Sequence, residues 1–391
     1  MKLDLETLET AITTDGAAIR LRSRLQPAGG PGDKIFPATY AEGKDGRKHE
    51  TKYATEMRVV DGERKLSVLL DSVASQANRM ELALLAARRR GDISLPIIEV
   101  DFGDGFPDLG RISSLEAPHR VYDAILRDST HDGEAFRASQ VGRSVTDASA
   151  RDARAMFRHC PTALVFGAWD STGPRGGMGH KFQRAISSEV VAIGCEAGTK
   201  VGSRIDPLQI SASVGVSVSK DDKDNWSVDA KGKHRPSEVN HSNIAPSRDA
   251  EAGGITCEYA LHTAVLSIPA LRRLKFGDWD DTQSNAARSV LAALGTLALL
   301  LQRRWGYDFR SRCTLVPEGP APLELVRSDG GTETIEIDVD EALDLLSKAL
   351  TKAESHNVTW ENEPVVLQPM DKLVQLLETS RAVLKEARPE S

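Results

Sequence analysis

The sequence predicts an α+β fold, with a four-stranded sheet, two packed helices and long insertions. Three observations predict it. Several short apolar runs alternate at period two, as half-buried strands do. Other stretches repeat at helical spacing. The two kinds follow one another without the strict strand–helix–strand alternation of a doubly wound sheet. The 391 residues are 40% hydrophobic and 27% charged, enough for one large core or two modest ones.

The elements follow in chain order. A short acidic helix opens the chain. In AAIRLRSRL, Ile19, Leu21 and Leu25 alternate with Arg20, Arg22 and Arg24, which reads as a strand with three guanidiniums on one face. LQPAGGPGDKIFPATY is too rich in Gly and Pro for helix or central strand and reads as a constrained loop. Residues from about Lys65 to Arg89 predict a helix, with Leu69, Val73, Ala77, Met80 and Leu84 on one side and Ser72, Ser75, Gln76 and Arg79 sharing another. Leu95 to Phe102 predicts a buried strand, and Pro118 opens a helix that buries Ile125 and Leu126. Thr162 to Trp169 predicts a second apolar strand, followed by a glycine-rich loop and a helix from about Phe182 to Ile193. Ile210 to Ser219 and Ile255 to Ile268 read as strands. The polar stretch between them, Lys220 to Gly254, reads as a mobile arm that cannot order itself alone. A Leu/Ala helix (Asn285 to Arg304), strands near Cys313 to Val316 and Leu323 to Val326, and helices at Val339 to Lys352 and Met370 to Glu386 complete the chain.

Charge is divided unevenly. From Asp329 onward there are 14 acids against 6 Lys/Arg; the preceding 328 residues carry 44 Lys/Arg and 43 acids. The net charge of −7 is therefore local to the acidic tail and does not exclude a basic groove elsewhere. No apolar run reaches the ~18 residues of a membrane span; the longest, Val290 to Leu301, is flanked by Arg288, Arg303 and Arg304. The start MKLDLETLETAITTDG bears acids where a secretion signal has a basic region, so a cytoplasmic protein is expected.

The chemistry is narrow. Four separated cysteines without a C-x-x-C pair indicate neither zinc knuckle nor disulfide framework, and no H-E-x-x-H occurs, so no metal or other cofactor is expected. Asp101-Phe-Gly lacks the rest of a kinase signature. STGPRGGMGHKFQR (Ser171 to Arg184) is the most suggestive segment. Its glycines would let backbone N–H groups approach an anion, with Lys181 and Arg184 in the first turn of the helix expected to follow. It is not a nucleotide-binding P-loop: His180 separates Gly179 from Lys181, and Phe182 holds the hydroxyl position. Contact with the phosphates of a polymer fits; nucleotide hydrolysis does not.

RLQPAGGPGDKIFPATY, VLLDSVASQANRMELAL, SSLEAPHRVYDAILRDS, CPTALVFGAWDSTGPRGGMGHKFQRA, SRIDPL and RPSEVNHSNIAP together resemble the RAMP-superfamily backbone subunit of type I-G (formerly I-U) CRISPR Cascade complexes, in order from about Leu21 to Phe276. The resemblance implies an RRM-like (ferredoxin-like) palm with inserted finger and thumb over residues 1–328, the thumb at 220–254, and an acidic helical region at 329–391. It implies a non-catalytic subunit, not an enzyme, that polymerises along CRISPR RNA, grips its backbone and presents it to invader DNA. Its partners would be the RNA, target DNA through the guide, further copies of itself, the large subunit and the subunit that binds or processes the RNA end, with no membrane. The RNA contacts it suggests are Arg20 and Arg22; Lys34; Ser72, Ser75, Gln76 and Arg79; His119 and Arg120; Arg175, His180, Lys181, Gln183 and Arg184; Arg204; and, in the thumb, Lys231, Lys233, His234, Arg235 and Asn240. The alternative is an RNA-processing or target-RNA-cleaving RAMP endoribonuclease, for which His119, His180 and Asp170 are the candidate acid and base.

Overall fold

The computed structural model describes residues 1–41, 51–170, 172–173, 181–210, 216–221 and 225–386. It is mixed α and β, as expected. A central strand, β1 (Gly16–Pro27), buries Ile19, Leu21, Ser23 and Leu25 and turns its arginines to the other face. Preceding it is α1 (Leu5–Thr13), capped by Asp4. The hairpin β2 (Thr55–Val60) and β3 (Glu63–Asp71) leads into α2 (Val73–Arg90). Farther on lie β4 (Ile98–Asp101), α3 (Pro161–Phe166), β5 (Ile186–Ile193), β6 (Tyr259–Ser267) and α4 (Asp281–Arg304). The chain ends with β7 (Cys313–Pro317), β8 (Leu323–Arg327), α5 (Val339–Ser355), β9 (Val365–Pro369) and α6 (Asp371–Glu386).

The main sheet runs β7–β1–β6–β5–β3–β2, entirely antiparallel, and β8 also pairs with β1. Taking β1, α2, β5, β6, α4 and then β7 with β8, the chain reads strand–helix–strand–strand–helix–strand, and the four strand positions lie in the order fourth, first, third, second. Both helices cover one face: α2 packs on β5 and α4, and α4 on β6. Their apolar sides form one core with the sheet through Ala77, Met80, Leu84, Leu291, Leu294, Ile19, Leu21 and Leu266. Helix α4 is long and apolar enough to cross a membrane, yet it is buried in this core. A smaller sheet places β4 beside β9 in parallel, and α5 packs on α4, so the acidic C-terminal residues share the main core.

Four expectations about local structure are corrected. The helix expected from Lys65 begins at Val73. Residues through Asp71 are strand, and Ser72 caps the helix by accepting from the Ser75 amide (3.2 Å). The strand expected at Thr162 to Trp169 is mostly α3, started by Pro161 at its first turn and ended at Gly167 (φ 80°); only Ala168–Trp169 is extended. The helix expected after the glycine-rich loop is strand: Lys181–Phe182, then β5, whose Val190 to Ile193 are buried on both faces. A short apolar run does not distinguish these states by period, and tertiary burial decided both. Pro118 opens no regular helix; a 3-10 turn (Arg120–Tyr122) and a single turn (Ala124–Arg127) capped by Asp123 follow it.

The arm between β5 and β6 begins earlier than expected. Its root is a ribbon of Lys200–Arg204 against Ile244–Asp249, followed by a second ribbon, Val218–Lys220 against Trp226–Val228, and a 3-10 turn at Pro236–Val239. Of the alternating strand expected at Ile210 to Ser219, residues 211–215 lie outside the described residues and only Val218–Ser219 is strand. The arm has a small interior of its own: Val218, Val239, Asp206 and Ser242 are buried. Asp206 accepts from the Ser242 amide (2.7 Å) and the Leu208 amide (3.3 Å), and its pKa lies below the usual carboxylate value despite desolvation. The described residues of the arm thus have local structure, built from backbone pairing and a few buried side chains.

Candidate nucleic-acid interface

The polar face at the start of α2 turns inward. Asp71 is 6% exposed and accepts from Ser75 Oγ (2.6 Å), Gln76 Nε2 (2.6 Å) and Arg79 Nε (3.0 Å). Gln76, fully buried, accepts through Oε1 from Ser188 Oγ (2.9 Å). Ser188 Oγ lies 2.8 Å from His262 Nε2, whose Nδ1 is 3.1 Å from the Tyr307 hydroxyl. Arg79 also donates to the Asp308 and Phe309 carbonyls. Burial pushes the His262 pKa down to about 3, so the ring is neutral within this chain of bonds. Ser75, Gln76 and Arg79 therefore stitch α2 to the sheet, and Ser72 caps the helix. The RNA contacts expected of these four side chains thus fall on groups that already have partners inside the protein.

The arginines of β1 lie on the sheet face without helices, but two are matched. Arg20 Nε is 2.7 Å from Glu324, and Arg24 is 3.2 Å from Glu318 with its guanidinium 3.9 Å from the Tyr259 ring centre. Arg22 is exposed and has no ion pair among the described residues. Lys34 donates to the Thr199 carbonyl (3.0 Å) and so holds the root of the arm.

A cavity of about 590 Å³ brings together residues that the sequence keeps far apart: His119 and Arg120 from one stretch, Gly167 to Trp169 from a second, and Phe182 to Arg184 from a third. Arg120 forms the buried wall. Its Nε and Nη2 donate to Glu81 (2.6 and 2.7 Å) and its Nη1 to the Gly167 carbonyl (3.1 Å). Burial pushes the Glu81 pKa up to about 7, against the pull of Arg120. Arg184 donates to the Val73 carbonyl (3.1 Å), and burial together with Arg120 lowers its pKa. Two guanidiniums thus share one buried carboxylate, leaving the wall with excess positive charge that an anion would relieve. Gly167 is needed here, because a Cβ would lie 2.7 Å from the Arg184 Cγ. At the rim, Trp169 is 52% exposed, and Gln183 accepts from Arg273 (2.9 Å).

The glycine-rich loop springs from this cavity. Ala168 and Trp169 pair with Phe182 and Lys181, so Lys181 lies on a strand, not in the first turn of a helix; the dipole argument for Lys181 and Arg184 falls. Arg175 and His180 lie outside the described residues. Asp170, 3% exposed, accepts from Arg137 Nη2 (2.8 Å) and the Thr172 amide (3.0 Å), which fixes where the loop leaves the sheet.

In the arm, Arg204 sits 3.9 Å from Asp206, and His234 Nδ1 lies 2.9 Å from Glu238. Backbone and side-chain donors, the Arg235 amide first, hold the Glu238 pKa down near about 2. Lys231, Lys233 and Arg235 are exposed, and Asn240 ends the 3-10 turn in the left-handed region (φ 59°). Sequence reasoning missed Trp169, Glu81 and Arg273. The signal for Trp169 was an aromatic residue directly before the glycine-rich loop. Among the described residues, no cluster of three His, Cys, Asp or Glu is arranged for a metal.

Residues 19–197 match the family model of CRISPR-associated protein GSU0053. The matched segment is similar to that CRISPR-associated family. All the residues lining the cavity fall inside it, as do most of β1 and all of α2 and β5; the arm beyond residue 197 and everything after it do not. Among solved structures, Thermofilum pendens Csc2 is similar over 95% of this chain and 78% of its own, at 10% identity and a TM-score of 0.28, too loose a superposition to carry an argument. No curated protein matches.

Proposed function

We propose that this chain is the backbone subunit of a type I-G Cascade complex, a cytoplasmic, non-catalytic protein that polymerises along CRISPR RNA and holds it for base pairing with invader DNA. The observation that carries this reading is the cavity of Arg120, Arg184, His119 and Trp169, which lies wholly within the CRISPR-associated segment. Its positive wall suits phosphate and its exposed indole suits a stacked base, neither of which reads sequence. The strand order fourth, first, third, second, with both helices on one face, supports an RRM-like palm. The arm rooted at Lys200–Arg204 and Ile244–Asp249 would be its thumb, with Lys231, Lys233 and Arg235 facing the guide or the next copy. The open face of β1 would contribute Arg22. The other Cascade subunits would complete the assembly, with specificity left to the guide.

A cutting enzyme is the weaker reading. Asp170 already accepts from Arg137 and Thr172, which opposes its use as a free base beside the exposed His119. Filter binding to unrelated spacers of equal length tests the proposal. Affinities should agree within about tenfold, rise with RNA length and fall with salt. Cleavage of precursor CRISPR RNA by the pure protein, or strong spacer preference, overturns it.

A further inference from the structure

Two of the cysteines face each other at the root of the arm. On one side of them Ile193 pairs with Tyr259; on the other Glu196 pairs with Thr256 and Ala197 with Ile255. Both ladders keep one register, and the Gly198 amide continues it by donating to Gly254 (2.8 Å). Cys195 therefore stands opposite Cys257. The Cys195 amide donates away from that strand, to Leu66 (3.0 Å), and Ile255 exchanges its bonds with Ile35. Cys195 and Cys257 thus form a pair without hydrogen bonds between them. In such pairs the Cα atoms sit about 4.5 Å apart and both side chains leave on one face. A disulfide needs roughly 4.4–6.8 Å. Both thiols also pack into one apolar cluster.

We propose that Cys195 and Cys257 are a modification site: a reversible cross-strand disulfide that closes the root of the arm in the presence of a small-molecule disulfide oxidant. The more accessible thiol, Cys257, attacks as thiolate, expels one thiol of the oxidant and forms a mixed disulfide. The Cys195 thiolate then displaces the second. Two electrons and two protons leave the pair, and the oxidant becomes two thiols. The new bond ties residues 196–256 into a loop, so the arm cannot peel from the sheet. Burial holds the thiols up, Cys195 to about 12 and Cys257 to about 11, so exchange at neutral pH is slow and quickens as pH rises.

The test is to incubate the full chain with oxidised glutathione, alkylate, digest and map linked peptides. The expected product links Cys195 to Cys257, leaves Cys160 and Cys313 alkylated, and runs faster on a non-reducing gel. Cys257→Ser should abolish that band and Cys313→Ser should keep it. A Cys257–Cys313 link, only intermolecular products, or four alkylated thiols after oxidation at pH 9 overturns the proposal. The mapping on the unaltered chain stands whether or not the variants fold.

Discussion

The start of α2 and the cavity around Trp169 look alike in sequence and differ in the folded chain. Each offers an arginine with short polar residues beside a helix or glycine-rich turn. At α2, Ser75, Gln76 and Arg79 all converge on the buried Asp71, and their hydrogen-bonding capacity is met inside the protein. At the cavity, two guanidiniums face one carboxylate, and an indole stands half in solvent. What separates the two faces is whether the opposing charge is already present, and that partner can be elsewhere in the chain.

The largest effect should come from breaking the matched region. Asp71→Ala leaves the Gln76 amide and the Arg79 guanidinium without their acceptor, and should cost about 2–4 kcal/mol in urea unfolding. RNA affinity of the folded fraction should stay within about twofold. A large affinity loss with unchanged stability would reverse the two roles. Trp169→Ala should do the opposite: unfolding free energy within about 0.5 kcal/mol of the parent, because the ring is exposed, but RNA binding weaker by on the order of 1–3 kcal/mol. Replacing Lys231, Lys233 and Arg235 together with Ala should shallow the salt dependence of RNA binding by about 0.7 per lost contact, without change in unfolding. An unaltered slope removes the arm from the interface.

The smallest effect is a pH dependence, with one group in each region. The pKa of His262 is lowered in the fold, so the unfolded chain takes up the proton first. Stability from this group is full above about pH 6.5 and is lost as pH falls toward 3. His262→Gln should flatten the unfolding midpoint over that window. Glu81 runs the other way, since its raised pKa makes its contribution decline as pH rises from 4.5 toward 7.

Much of the frame was legible in the sequence. The alternation in β1 and β6, the long apolar α4 and the acidic C-terminal helices appear where period and composition place them. The failures share a cause. Thr162 to Phe166 and Val190 to Ile193 are short apolar runs buried on all sides, and burial on all sides erases the period that tells helix from strand. Gln76 misled for a related reason: besides nearby Asp71, its partner Ser188, and through it His262, is over a hundred residues away. His119, Arg120, Gln183 and Arg184 were each picked out singly, but only the fold assembles them around Trp169.

Ultraviolet cross-linking of bound RNA, followed by tryptic mapping, sets the two regions against each other in one experiment. The account predicts adducts on the peptide spanning residues 159–175, which holds Trp169, and none on residues 66–79, which hold Ser72, Ser75, Gln76 and Arg79. Adducts on 66–79 with 159–175 unmodified would contradict it.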